Sequence, residues 1–277
     1  MRATRRMVMT GALATGATAL VPAGLARAAA PLQGAAPASM HRYTVGGFEV
    51  TAILDFTRPM EKPETIFGTN QKPEDVAALL QANFLPSDRM LNMFTPLVVN
   101  TGKELVLFDT GLGATAGGQL AGRLAAAGIS ADQIDIVVIT HCHPDHIGGI
   151  ATDGKPLCSN ARYVIGETEY AFWSAPERLS GPTENAAKLV AANVIPFKDK
   201  MSFITDGTEV TTGIHAVTAP GHTPGHMAFH LESGGKRLLI GADFCNHYVL
   251  SLQRPEWEVR FDADKATAAA TRVRLLD

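Results

Sequence analysis

Cysteine is scarce in this sequence, which contains only Cys142, Cys158 and Cys245 among its 277 residues. Their spacing matches no zinc-binding module, and an odd number leaves at least one thiol free unless two chains pair. A metal site built from cysteines is therefore not indicated. Cys142 is better interpreted as a small buried residue than as a catalytic thiol.

Basic residues are also few relative to acidic ones. The chain carries 24 Lys and Arg residues against 27 Asp and Glu residues, a formal net charge of −3. Residues 1–30 hold four of the basic residues and none of the acidic ones, which leaves 20 against 27, a net charge of −7, for the rest. Such an acidic chain is repelled by nucleic acids and by anionic membrane surfaces. We therefore expect neither as a partner.

The N-terminal segment has the composition of an export signal. The paired Arg5 and Arg6 precede an apolar stretch rich in Ala, Gly and Thr, and the small residues Ala26 and Ala28 flank Arg27 in a cleavage pattern. This pattern predicts a twin-arginine-type signal over residues 1–30 and a periplasmic or secreted protein. The alternative is a membrane anchor, but the segment is short and rich in Gly and Thr. Residues 31–277 are numerous enough for one domain with a full core.

Strand and helix patterns alternate along residues 31–277. A hairpin is predicted around Gly46 and Gly47, and residues 57–73, with three prolines, read as a long surface loop. The other predicted strands cover residues 96–100, 104–108, 134–140, 162–165, 215–219, 227–231 and 237–240, and the predicted helices begin near residues 73, 119, 168 and 265. This order is typical of a layered α/β fold with functional loops at strand ends.

The sequence THCHPDHIGG, residues 140–149, concentrates potential metal ligands in one turn. His141 and His143 alternate on an extended segment, so both rings can face the same way. Asp145 and His146 follow Pro144, where the chain turns. Imidazole and carboxylate groups suit zinc and similar divalent metals. Four such groups so close together serve two adjacent ions better than one.

Two later stretches offer further ligands at strand ends. APGHTPGH places His222 in a glycine-containing turn, and LLIGAD ends a predicted strand at Asp243. Either residue alone would be an ordinary turn residue. Beside the histidine turn, both become candidate metal ligands. Asp109, in the sequence DTG after another predicted strand, is either a residue that orients a ligand histidine or a plain turn residue.

These motifs, in this order, resemble the metallo-β-lactamase-fold hydrolases, and within them the methyl parathion hydrolase-like and quorum-quenching lactonase-like groups. The resemblance implies an αββα sandwich and two divalent metal ions, with Zn²⁺ as the expected metal. It implies that one metal is held by His141, His143 and His222, and the second by Asp145 and His146, with Asp243 bridging the two. His226 would support the His222 turn by hydrogen bonding without being a ligand.

The sequence departs from this family pattern after Asp243. Such enzymes carry a further histidine ligand on a loop after a last strand, whereas no histidine follows His247 here, and His247 lies too close to Asp243 to replace it. The resemblance therefore predicts that the last strand is missing, that water or a partner chain would fill the gap at the second metal, and that activity would be impaired.

The resemblance implies a hydrolase that uses a metal-bound hydroxide on a neutral ester, lactone or phosphotriester. Asp145 would move the proton, the substrate would be a small molecule, and a homodimer is the alternative to a monomer. The segments Glu169–Trp173 and Met90–Phe94 could line the substrate pocket or pack in the core. Trp173 occupies the place of a pocket tryptophan in the parathion hydrolase-like group.

Four other functions are alternatives to this hypothesis, and they are not equally favoured. An iron-dependent oxidoreductase of the same fold, such as a persulfide dioxygenase, would use a similar ligand set. An inactive, truncated binding protein would follow from the absent histidine. A β-lactamase fits the overall pattern less well than a lactonase, and a nuclease is disfavoured by the negative charge.

Overall fold

The computed structural model describes residues 37–277. Ala38–Asp277 form one compact unit. The predicted signal over residues 1–30 lies outside the described residues. In the described part of the chain, no helix combines the length and apolar character needed to span a membrane.

The strands and helices follow one another in the order expected for a layered α/β fold. The strands are β1 (Met40–Val45), β2 (Phe48–Ile53), β3 (Phe56–Glu61), β4 (Arg89–Phe94), β5 (Leu97–Asn100), β6 (Leu105–Phe108), β7 (Ile136–Ile139), β8 (Ala151–Thr152), β9 (Lys155–Pro156), β10 (Arg162–Gly166), β11 (Met201–Ile204), β12 (Glu209–Thr211), β13 (Ile214–Thr218), β14 (Met227–Ser233) and β15 (Lys236–Ile240). The α-helices are α1 (Pro73–Ala82), α2 (Leu120–Ala126), α3 (Pro144–Ile147), α4 (Glu167–Ser174), α5 (Glu184–Asn193), α6 (Leu250–Gln253) and α7 (Lys265–Leu276).

The larger sheet has seven strands in the order β1-β2-β5-β6-β7-β10-β11. Its central strands are parallel from β6 through β7 to β10. Apolar residues occupy both faces of β7: Val137 and Ile139 pack on one side, and Ile136 and Val138 on the other. A strand that is buried on both faces needs such a continuous apolar run.

The second sheet has four antiparallel strands in the order β12-β13-β14-β15. It packs against the larger sheet through residues such as Phe108 and Phe229, whose ring centroids lie 5.2 Å apart. Helices α2, α4 and α5 cover the outer face of the larger sheet. On the outer face of the smaller sheet, Leu275 of α7 packs near Phe244. The predicted αββα sandwich is confirmed, and β15, the last strand within residues 37–277, lies at a sheet edge.

The prediction that residues 57–73 form a loop is wrong in its first part. Residues 56–61 form β3, which pairs antiparallel with β4 as a two-stranded ribbon. Pro59 concealed the strand pattern, because proline lacks the amide that a central strand needs. It is tolerated here because β3 pairs with β4 alone and has a free edge. The chain continues through a short 3₁₀ turn at Pro63–Thr65 before α1 begins at Pro73.

The strand ends bring the candidate ligands to one edge of the sandwich. Because β6 and β7 are parallel, Asp109 and the histidine turn leave the larger sheet side by side. Strands β13 and β15 both run antiparallel to β14, so they point the same way within the smaller sheet. His222 and Asp243, which follow β13 and β15, therefore also share an edge. The candidate site lies where these two edges meet.

Candidate metal centre

The histidine turn is held in place by a close approach between two backbone segments. The carbonyl of His146 accepts hydrogen bonds from the amide and the hydroxyl of Thr110, at 2.8 and 2.9 Å. A β-carbon at Gly148 would lie 2.2 Å from the carbonyl oxygen of Leu112, and one at Gly149 would lie 2.1 Å from that of Thr110. Only glycine permits this approach.

Three of the predicted ligands converge at what we call the first position, the place expected for the first of the two metals. His141 Nε2 lies 3.1 Å from His143 Nδ1, and His222 Nε2 lies 2.9 Å from the same atom. His141 and His222 are almost completely buried. Candidate ligand atoms of all three side chains lie within 4.8 Å of one another. The structure thus brings His222 to the pair His141 and His143, from which it is far apart in the sequence.

The other predicted ligands lie immediately beside them. His146 Nε2 is 3.4 Å from Asp243 Oδ1 and 3.6 Å from Asp145 Oδ2. The second oxygen of Asp243, Oδ2, is 3.4 Å from His222 Nε2. Asp243 therefore faces both positions, one oxygen to each. His141 also groups with His146 and Asp243 within 4.8 Å, so His141 is common to both groups.

The outer nitrogen of each buried ring has a hydrogen-bond partner that defines its tautomer. His146 Nδ1 donates to Asp109 Oδ2 at 2.7 Å, and His222 Nδ1 donates to Asp262 Oδ1 at 3.2 Å. His141 Nδ1 lies 3.1 Å from Thr140 Oγ1, whose own hydroxyl donates to Asp109 Oδ2 at 2.8 Å. With Nδ1 as the donor, Nε2 is the nitrogen of each ring that faces the cluster, and it carries a lone pair whenever the ring is neutral. These lone pairs point into the cluster.

This donor set fits divalent metal ions. Burial and the neighbouring imidazoles hold the pKa of His141 well below its usual value, and burial and His222 lower the pKa of His143 to about 4. Both rings are therefore neutral at neutral pH, which is the form that binds metal. Lone pairs and carboxylates that face one another across 3–4 Å repel unless a cation lies between them.

The second position, beside Asp145, His146 and Asp243, is surrounded by carboxylates that favour a positive charge. Burial opposes protonation of His146, but the carboxylates of Asp109, Asp145 and Asp243 outweigh it and raise its pKa well above the usual value. Burial would raise the pKa of Asp243, yet His146 and then His222 hold it well below the usual range. A divalent cation at this position would take the place of that proton.

Asp109 is a partner of two site residues and not a plain turn residue. It follows β6 with a left-handed backbone (φ 61°). Its Oδ1 accepts from the amide of Thr140 at 2.8 Å, and its Oδ2 accepts from His146 Nδ1. The carboxylate therefore holds the start of the histidine turn and orients one candidate ligand, as carboxylate partners of metal-bound histidines do.

The sequence interpretation missed a second carboxylate that orients a ligand, Asp262. Its Oδ1 accepts from His222, while its Oδ2 accepts from Arg272 Nη1 at 2.8 Å. Arg272 is 0% exposed and also donates to the carbonyls of Pro255 and Trp257. No motif surrounds Asp262 or Arg272 in the sequence, so only the packing of α7 beside the site identifies this pair.

Glu169 is the other carboxylate that the sequence interpretation missed. It is 0% exposed and accepts four hydrogen bonds. Its Oε1 accepts from the amide of Cys142 and from Trp173 Nε1, each at 2.8 Å. Its Oε2 accepts from Thr223 Oγ1 at 2.7 Å and from the amide of Gly225 at 3.0 Å. Glu169 thus ties the His141–His143 segment to the His222 turn.

We expect Glu169→Gln to destabilise both turns. All four partners of Glu169 are donors. The amide NH₂ of glutamine would face two of them, and those two buried donors would lose their acceptor. Loss of hydrogen bonds to a buried charged group costs about 2–3 kcal/mol. The melting temperature of the metal-free protein should fall by about 6 °C, and bound metal should decrease.

The matched control is Glu167→Gln, which changes an exposed glutamate in the first turn of the same helix. It should leave both the melting temperature and the metal content unchanged. An E169Q protein as stable and as metal-rich as the unmodified chain would show that the two turns do not depend on this carboxylate.

Two of the other histidines, His226 and His247, make hydrogen bonds that hold neighbouring loops. His226 contacts both loops: its amide donates to the carbonyl of Thr223 at 3.4 Å within the His222 turn, and its Nε2 accepts from the amide of Asp243 at 3.1 Å. His247 is buried, and its Nδ1 accepts from the amides of Val249 and Leu250 at 3.0 and 3.1 Å. His247 therefore holds the start of α6 and is not turned to the metal cluster.

A cavity of about 670 Å³ opens above the cluster. Asn92, Met93 and Phe94 line it, as one of the two candidate pocket segments predicted. The second segment does not line it: Trp173 is only 6% exposed and belongs to the core beneath the larger sheet. Its ring centroid lies 6.2 Å from that of His143, so Trp173 supports a candidate ligand from behind.

Comparisons with proteins of known structure agree with this geometry. The dizinc quorum-quenching lactonase AidC, solved with the product N-hexanoyl-L-homoserine, superposes with a TM-score of 0.76 at 27% identity, over 86% of this chain and 85% of AidC. The hydrolase AbOPH of the beta-lactamase superfamily superposes with a TM-score of 0.77 at 26% identity, over 87% and 86%.

A curated relative matches over a shorter stretch. Hydroxyacylglutathione hydrolase of Pseudomonas syringae pv. syringae (strain B728a) is 33% identical over 107 residues, which are 39% of this chain and 32% of that enzyme. The match thus spans about a third of the length of that relative. The family model of the metallo-beta-lactamase superfamily matches residues 96–276, more than half of the sequence, and includes every candidate ligand. The chain therefore belongs to the metallo-beta-lactamase superfamily.

Proposed function

We propose that this protein is a hydrolase that uses two divalent metal ions, with zinc as the resident metal, to cleave a neutral ester, lactone or phosphotriester. The observation that carries the proposal is the position of Asp243, whose two oxygens face His146 Nε2 and His222 Nε2 at 3.4 Å each. A carboxylate placed in this way can bridge two ions. The similarity to AidC, a dizinc lactonase, and to the hydrolase AbOPH supports the same class of reaction.

The ions, when bound, would supply a hydroxide nucleophile near neutral pH and polarise the oxygen of the scissile group. His141, His143 and His222 would hold the first, and Asp145, His146 and Asp243 the second, with His141 close to both. The protein itself orients these ligands through Asp109 and Asp262. Its cavity of about 670 Å³ would exclude water around a small substrate.

The test of this function combines metal analysis with hydrolysis. The purified protein should contain zinc, hydrolyse members of a panel of lactones, aryl esters and phosphotriesters, lose that activity on treatment with a chelator, and regain it when zinc is added. Hydrolysis that persists without metal would contradict the proposal, as would a metal-loaded protein inactive on the whole panel. An iron-containing protein that consumes oxygen would indicate the oxidoreductase instead.

We propose Asp145 as the residue that moves the proton during hydrolysis. It lines the cavity, and its side chain retains 20% exposure, so one oxygen can face His146 while the other reaches a substrate. Burial would raise its pKa, but His146 lowers it below the usual value, so the carboxylate is ionised and able to accept a proton.

Asp145→Asn is expected to lower kcat about a hundredfold while metal content is kept, because the amide can occupy the same place but cannot accept the proton. Steady-state kinetics and elemental analysis of the same preparation test this. Full turnover with both metals retained would remove Asp145 from this role.

A further inference from the structure

The ribbon formed by β3 and β4 is one wall of the cavity above the metal cluster. Arg58, Met60, Asn92 and Phe94 all line the cavity. Side chains alternate between the two faces of a strand, so these residues share one face of the ribbon with Phe56 and Met90. Most of that face is apolar. Arg58 and Asn92 are its polar exception.

Arg58 and Asn92 stand directly opposite each other in the antiparallel register. Side chains in such a cross-strand pair are close enough to contact one ligand together. The guanidinium carbon of Arg58 lies 5.7 Å from the centroid of the Phe94 ring, and that ring packs against Phe56 at 6.0 Å. Stacking on an aromatic face holds the guanidinium in a defined place at the wall of the cavity.

The donors of this pair have no protein acceptor within residues 37–277. No carboxylate in that range lies within 4.0 Å of the Arg58 guanidinium, and neither side chain makes a hydrogen bond there. Residues 1–36 contain no Asp or Glu. The acidic residues that line the cavity, Asp109, Asp145 and Asp243, all belong to the metal cluster. A positive charge beside an amide thus faces the cavity without a hydrogen-bond or ion-pair partner among residues 37–277.

We propose that Arg58 and Asn92 bind a carboxylate of the substrate, at the end remote from the bond that is hydrolysed. This inference rests on the proposed function and narrows it to esters or lactones whose scissile group is neutral and whose acyl part ends in a carboxylate. A planar guanidinium matches a carboxylate with two parallel hydrogen bonds, and the amide of Asn92 adds a third donor. Met60 and Phe94 would contact the hydrocarbon between the two ends.

The experiment compares two p-nitrophenyl esters of the same adipoyl chain, one ending in a carboxylate and the other in a carboxamide, with the zinc-loaded protein. We expect kcat/KM to favour the carboxylate ester about tenfold, mainly through KM. The expected preference is no larger, because Arg58 is exposed and solvent weakens its attraction for the carboxylate. Arg58→Gln should bring this ratio to about one, and Arg58→Lys should retain part of it. Arg89→Gln is the matched control, since Arg89 lies on the other face of the ribbon beside Asp88.

Two results would overturn the inference: equal rates for both esters, or a preference for the carboxylate that persists in Arg58→Gln and so arises at the metal centre. Failure of the proposed function is distinguishable, because then neither ester is hydrolysed. In that case calorimetry with the corresponding anilides, which resist hydrolysis, still compares the binding affinities of the carboxylate and carboxamide compounds. Tighter binding of the acid that is lost in R58Q would support the inference, and equal binding would refute it.

Discussion

Replacing His141 with alanine is expected to empty both metal positions and to reduce hydrolysis about a thousandfold. In the described part of the chain, His141 belongs to both groups of candidate ligands, whereas His143 belongs to the first alone and His146 to the second alone. Metal ions contribute several kcal/mol to the stabilisation of hydrolytic transition states, and each 1.4 kcal/mol is a factor of ten in rate.

The structure also predicts how added zinc changes the melting temperature of the unmodified protein and of H141A. In the unmodified protein, zinc should raise the melting temperature, because metal binds the folded chain and stabilises it by mass action. In H141A the metal-free protein should melt below the unmodified metal-free protein, because the substitution leaves a cavity at a fully buried position. Added zinc should then raise the melting temperature little.

His215→Ala provides the control for His141→Ala. His215 lies on β13, half exposed, with Glu209 at 4.0 Å as its charged neighbour. This variant should keep its metal, its rate and its response to zinc. If H141A instead retained two ions per chain and normal kcat/KM, His141 would be a ligand of neither metal. The proposed pair of metal sites would then be wrong.

Replacing Arg272 with methionine should cause the largest loss of stability among single substitutions near the site. Arg272 Nη1 donates to Asp262 at 2.8 Å, and Nε and Nη2 donate to the carbonyls of Pro255 and Trp257 at 2.8 and 2.9 Å. Both charged side chains are 0% exposed. Removing one partner of a buried ion pair costs about 3–5 kcal/mol, because the other charge stays buried without compensation.

The expected readouts of Arg272→Met are thermal unfolding and zinc affinity. The melting temperature should fall by about 10 °C for a chain of this size. Zinc affinity should fall about tenfold or more, because Asp262 orients His222. Adding Asp262→Asn to R272M should recover part of the stability, since no uncompensated charge then remains, but it should not recover the affinity.

Arg274→Met is the control two residues further along α7. Arg274 is exposed and donates only to the carbonyl of Thr218, so its loss should shift the melting temperature by no more than a degree or two. An R272M protein that melts with the unmodified chain would mean that the buried pair contributes nothing to stability.

Local patterns in the sequence were sufficient for most of the secondary structure and for choosing the candidate ligands that the structure places together. The β-branched run before residue 140 could only be a strand buried on both faces, and the predicted helix at Lys265–Leu276 agrees with α7 residue for residue. The histidine turn, His222 and Asp243 were all identified because imidazoles and carboxylates at strand ends form a pattern that ordinary turns lack. Strand β3 was missed because Pro59 argues against a strand, whereas tertiary pairing with β4 forms one nevertheless.

Roles that depend on contacts across the fold could be assigned only from the tertiary structure. Glu169 and Asp262 have no motif around them, and each becomes significant only because α4 and α7 pack beside the histidine turn and the His222 turn. The same holds for Arg58, whose place at the cavity follows from the register of β3 with β4. The export signal over residues 1–30 stays a prediction. The sequence by itself thus determined the fold class and the types of candidate ligand, since both follow from local patterns. The tertiary structure decided which buried carboxylates orient those candidate ligands, since Glu169 and Asp262 reach the histidine turn and the His222 turn across 27 to 56 positions of sequence.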